Sequence, residues 1–208
     1  MKLKLFALLL LIPLFASPAY AAKPTPTTPP APTSKIVCLD PGHRGTDSGA
    51  VNLNYTEKEL NLQTALALEA KLEATGKYVV ELTRRDDSAR SNADRYSYCN
   101  GINASILISI HHNGSTDSSI DYTTALYMKK ADEKLAQIVS NSISNALFGV
   151  NPKPISRFAS GVLLKANMPA TISEGYFVTA SNELDAMTNG RIDQETNALL
   201  NAVQAYFN

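Results

Sequence analysis

Ile106 to Asn113 reads ILISIHHN, an apolar run of the kind found in strands buried on both faces, closed by two histidines. KIVCLD (Lys35 to Asp40) and PATISEGYF (Pro169 to Phe177) have the same character. YVVELTR (Tyr78 to Arg84), TTALYMK (Thr123 to Lys129) and GVLLKA (Gly161 to Ala166) bring the predicted strands to six. Between them the apolar spacing changes to that of helices. Thr56 to Thr75 places Leu60, Ala67, Leu68 and Leu72 on one face and stops at Gly76. Ala89 to Asn100, Lys130 to Phe148 (with Leu135, Ile138, Val139, Ile143 and Leu147) and Gln194 to Phe207 read as three further helices. This alternation predicts a single α/β domain: a mostly parallel central sheet of about six strands with helices on both faces.

The first 34 residues do not share the pattern. MKLKLFALLLLIPLFASPAYAA has two early lysines, an apolar run and small residues around Ala19-Tyr20-Ala21, which predicts a secretory signal peptide over residues 1–22. Its apolar stretch, Leu5 to Ala16, is too short to span a bilayer. KPTPTTPPAPTS, residues 23–34, suits an extended spacer that cannot build a core. Residues 35–208 are then the folded domain. The leading segment holds three lysines and no acid, so the domain carries 16 basic against 19 acidic residues, formally −3. That balance argues against nucleic acid as a partner. The expectation is an exported monomer, periplasmic or outside the cell. Cys38 and Cys99 are read as two small buried apolar side chains, with a disulfide as the alternative in an oxidising compartment.

All three histidines close apolar runs: His43 follows IVCLDPG, and His111 and His112 follow ILISI. In open α/β sheets, ligands sit beyond the carboxyl ends of the strands, where these imidazoles are delivered. Strand alternation puts His111 in phase with Leu107 and Ser109, and points His112 to the other face. Two imidazoles from separate strands suit a zinc site that needs one more protein donor. Glu57 and Glu59 open the first predicted helix, and spacing does not choose between them. A carboxylate there is equally an ordinary partner of the helix dipole. Glu174 stands inside an apolar strand, where a carboxylate must be paired, protonated or bound to metal. If its strand lies beside those bearing the histidines, it faces the same rim and can act as a general base toward a zinc-bound water. The alternative is a strand-end residue that caps a turn or pairs with an arginine. HExxH, GxSxG and GxxxxGK are all absent.

LDPGHRGTDSGA, TEKELNL, ELTRRDD, ISIHHN and MPATISEGYF, in that order over Ile36 to Phe207, resemble the zinc-dependent N-acetylmuramoyl-L-alanine amidases of the amidase-3 family. The resemblance implies one Zn²⁺ per chain held by His43, Glu57 and His111, with Glu174 as the catalytic carboxylate. It also implies peptidoglycan as substrate, cut at the amide between N-acetylmuramic acid and L-alanine. Two departures stand out: Arg44 replaces the first glycine of the family's PGHGG turn, and SEGYF replaces VEVGF. A zinc peptidase cutting within the stem peptide, or a non-catalytic wall-binding module, are the alternatives.

Overall fold

The computed structural model describes residues 34–147 and 150–208. The expected signal peptide, the expected spacer up to residue 33, and Phe148 at the end of the third expected helix lie outside the described residues. In chain order the elements are β1 (Lys35–Pro41), β2 (Val51–Asn52), β3 (Tyr55–Thr56), α1 (Glu57–Ala74), β4 (Tyr78–Leu82) and α2 (Asn92–Gly101). Then come β5 (Ile106–Asn113), β6 (Tyr122–Tyr127), α3 (Glu133–Ala146), β7 (Asn151–Pro152), β8 (Ser156–Arg157), α4 (Gly161–Lys165), β9 (Ala170–Phe177), α5 (Glu183–Thr188) and α6 (Arg191–Phe207). The main sheet has seven strands in the order β4-β1-β5-β9-β6-β7, with β8 also paired to β6. β4, β1, β5 and β9 run parallel, and β6 is antiparallel to β9. The mostly parallel α/β sheet expected from the sequence is therefore present.

Local chemistry sets the element ends. α1 stops where Gly76 takes a left-handed backbone (φ +65°), as its position after the apolar periodicity implied. α2 starts at a reciprocal cap between Ser91 and Asp94. The helix expected from Lys130 opens with a 3-10 turn, Lys130–Asp132, before α3. There the buried Asp132 accepts from the backbone of Lys129 (2.8 Å) and Ala170 (3.0 Å), which ties the turn to β9.

One sheet face packs on α1, α3 and α6 through residues such as Leu39, Ile108, Leu68, Val139 and Leu199. The other carries a thinner layer, with Cys38, Leu107 and Ile172 covered by residues of α2 and α4. Two expectations are corrected on this second face. GVLLKA is mainly the short helix α4: Ser160 caps it through its hydroxyl on Val162 N (3.3 Å). Val162, Leu163 and Ala166 are buried while Leu164 and Lys165 are exposed, a helical and not an alternating pattern. Cys38 and Cys99 are joined in a disulfide, not left as separate thiols. β1 and α2 hold them with Cα atoms 5.8 Å apart, inside disulfide range. Closing a loop of 61 residues restrains the unfolded chain by about 4 kcal/mol.

Candidate metal centre

Strand register assembles the site. Pro41 pairs with Ile110, so the chain leaving β1 passes the end of β5. It turns sharply there: His43 has a left-handed backbone (φ +54°), a strained conformation for a non-glycine residue. Neighbouring groups over-determine that turn. Gly42 N donates to Ile110 O (2.9 Å), while Gly42 O accepts from Asn61 Nδ2 (3.1 Å) and Arg84 Nη2 (2.8 Å). The buried Arg84 also donates to Pro41 O (3.1 Å). One residue farther on, the edge of the His43 ring meets the His111 ring at 4.9 Å between centroids.

Glu57 completes a group of three. Its Oε1 lies 3.1 Å from His43 Nε2 and 3.0 Å from His111 Nδ1, and one donor atom from each side chain falls within 4.8 Å of the others. Ala50 N (3.0 Å, to Oε2) and His112 N (3.2 Å, to Oε1) fix the carboxylate. Burial pushes the Glu57 carboxyl up, but hydrogen bonds and charge from His111 and His43 outweigh it and hold the group well below its usual range. Burial likewise pulls His43 down, yet Glu57 and then Asp47 raise it overall. Glu59, the other glutamate of this turn, points elsewhere and accepts from Thr56 Oγ1 (2.8 Å) at the surface.

Two glycines make room for the three side chains. A Cβ on Gly42 would collide with the His111 imidazole, and one on Gly49 (φ +64°) would collide with Glu57 and His43. The backbone is thus cleared around two imidazoles and one carboxylate, a donor set that suits zinc with a fourth position left open. The residues present fit such an ion.

Glu174 lies beside this group by register. It is opposite His111 across the parallel β5–β9 pair and opposite Thr124 across the antiparallel pair. Both Glu174 and His111 line an open pocket of about 660 Å³, together with His43, Arg44, Ser109 and Phe158 among others. Burial, with the nearby Glu57 charge, pushes the Glu174 carboxyl up to about 7 against the pull of the histidines.

Residues 37–205 match the Amidase_3 model, described as N-acetylmuramoyl-L-alanine amidase. The chain belongs to this family. The N-acetylmuramoyl-L-alanine amidase LytC of Bacillus subtilis is 29% identical over 153 residues, 72% of this chain but 30% of LytC. This chain therefore spans less than a third of that relative's length. The catalytic domain of CwlV, an amidase from Bacillus (Paenibacillus) polymyxa var. colistinus, superposes with a TM-score of 0.79 at 27% identity, covering 83% of this chain and 98% of that one. An amidase from Clostridium difficile 630 gives 0.78 at 32% identity, covering 84% and 97%.

Behind the triad, this amidase-family chain carries a support that sequence reading passed over. His112 does point away from the pocket, and its ring is fully buried. Nδ1 lies 2.6 Å from Asn61 Oδ1 and Nε2 lies 2.8 Å from Glu195 Oε2. Asn61 in turn holds Gly42 O and approaches Glu57 Oε1 at 3.4 Å. The signal for Asn61 was available, because it sits four residues after Glu57 and so shares its helix face. Glu195 and Arg84 gave none, since their roles depend on contacts across 83 and 42 residues.

Proposed function

We propose that this protein is a peptidoglycan hydrolase that cuts the amide joining the lactyl group of N-acetylmuramic acid to L-alanine. The supporting observation is the convergence of His43, Glu57 and His111 on one point, with Glu174 directly opposite His111 on the neighbouring strand. In this reading His43, Glu57 and His111 hold one Zn²⁺. When bound, the ion supplies a Lewis acid and acidifies a water at neutral pH.

The protein's own groups do the rest. Glu57, fixed by the backbone of Ala50 and His112, keeps its anionic form toward the two histidines. Glu174 accepts a proton from the attacking water and returns it to the departing alanine nitrogen. A carboxyl titrating near 7 suits both transfers. The amide C–N bond breaks as water oxygen joins the carbonyl carbon, leaving a lactyl carboxylate and a free alanine amine.

The same reading places the protein outside the cytoplasm, delivered by a leader over residues 1–22 and followed by a spacer over 23–34. The Cys38–Cys99 disulfide favours an oxidising compartment. No helix among the described residues is long and apolar enough to cross a membrane.

Paired substitutions test the division of labour. Glu57→Gln is expected to lose zinc in elemental analysis. Glu174→Gln is expected to keep zinc while kcat on peptidoglycan falls by about 10²–10⁴-fold. The opposite pairing of results would exchange the two roles.

A further inference from the structure

Two arginines line the pocket beside the candidate metal centre, and they differ in how they are used. Arg95 is committed. Its guanidinium is paired with the fully buried Asp40, with Nε 2.6 Å from Oδ1 and Nη2 on Oδ2, and it also donates to Asn92 Oδ1 (3.0 Å) and Ser109 Oγ (3.3 Å). Arg44 is not committed. Among the described residues its side chain makes no hydrogen bond or ion pair, while its backbone is pinned by paired bonds with Asp47 (3.0 and 2.8 Å). Arg44, a residue of intermediate exposure that lines the pocket next to His43, feels the charge of Asp47 but has no hydrogen-bonding acceptor, which leaves its guanidinium able to take an anion.

The pocket lining mixes polar side chains, Arg44, Asp47, Ser91 and Asn92, with apolar ones, Leu126, Phe158, Val162 and Ile172. The leaving peptide is the anionic half of the proposed substrate. Its second residue, D-glutamate joined onward through its side chain, carries a free α-carboxylate. By chain dimensions that carboxyl carbon lies roughly 6 Å from the scissile nitrogen, within reach of an arginine adjacent to a metal-ligand position.

Resting on the amidase reading, we infer that Arg44 binds the α-carboxylate of the second stem-peptide residue, so that the enzyme favours peptidoglycan in which this carboxylate is free over peptidoglycan in which it is amidated.

The test compares two synthetic disaccharide tripeptides identical except for carboxylate or carboxamide at that position, using the zinc-loaded protein. Wild type is expected to favour the carboxylate by about tenfold in kcat/KM, the difference lying in KM, because the contact is made equally in ground and transition states. Arg44→Gln is expected to bring the ratio close to one. Arg44→Lys, which keeps charge without the two-pronged geometry, should fall between. Equal turnover of both substrates by wild type, or an undiminished preference in Arg44→Gln, overturns the assignment and leaves the amidase reading intact. Failure to cut either substrate at the alanine amide overturns both.

Discussion

Glu174→Gln should stabilise the metal-free protein, because the native fold holds this carboxyl in a place that disfavours its charge. Its pKa rises from 4.5 to about 7, burial being the main cause. A raised carboxyl binds its proton more tightly when folded than when unfolded. Stability from this group is therefore greatest below pH 4.5, declines as pH rises toward 7, and stays low above that. At about 1.4 kcal/mol per pH unit, the interval amounts to roughly 3 kcal/mol. The carboxyl borders an open pocket, so solvent reduces this to about 1–3 kcal/mol. The assay is urea unfolding of wild type and Glu174→Gln in the presence of a chelator, at pH 4.5 and pH 8. With a slope near 2 kcal/mol/M, the variant's midpoint at pH 8 should lie about 0.5–1.5 M higher. At pH 4.5 the two midpoints should nearly coincide. A variant less stable than wild type at pH 8, or a difference independent of pH, would refute the claim that burial strains this carboxylate.

Other perturbations have equally definite outcomes. Asn61→Ala removes the link from His112 to Gly42 and Glu57, and should weaken zinc binding about 10–100-fold in a chelator competition; unchanged affinity would show that the buried chain does not orient the site. Replacing Cys38 and Cys99 by alanine should cost about 2–4 kcal/mol in denaturant unfolding, and an unchanged midpoint would contradict the loop-closure argument. Asp40 is pushed up by burial but held below 3.8 overall by Arg95, so it stabilises the fold above about pH 4, and this is lost as pH falls through its lower native pKa. Asp40→Asn strands the buried Arg95 charge and should cost about 3–5 kcal/mol at pH 7, the gap to wild type closing in acid. A gap that widens in acid would reverse the sign.

The helices and strands that bury strong periodic patterns were legible in the sequence. The parallel order followed from their alternation, and the histidines at strand ends marked the rim where the pocket opens. The failures share a cause. GVLLKA is too short for its period to separate helix from strand, and Ser160, the residue that decides it, lies just before the run. The disulfide depends on β1 and α2 meeting at one distance, which no local pattern encodes. Arg84 and Glu195 look like surface residues of a strand end and a helix, yet they are buried beneath the site because groups distant in sequence need partners there. Spacing also left Glu57 and Glu59 open; the family resemblance favoured Glu57, and the path of the Ala50 and His112 backbone supplies the physical reason.

Which bond is cut separates an amidase from a peptidase acting within the stem. Purified peptidoglycan digested with the zinc-loaded protein, followed by mass spectrometry of soluble and residual fragments, reads it directly. The prediction is intact stem peptides with a new L-alanine amino terminus, matched by N-acetylmuramic acid bearing a free lactyl carboxylate. Fragments cut between amino acids of the stem, with the lactyl–alanine amide preserved, would contradict it.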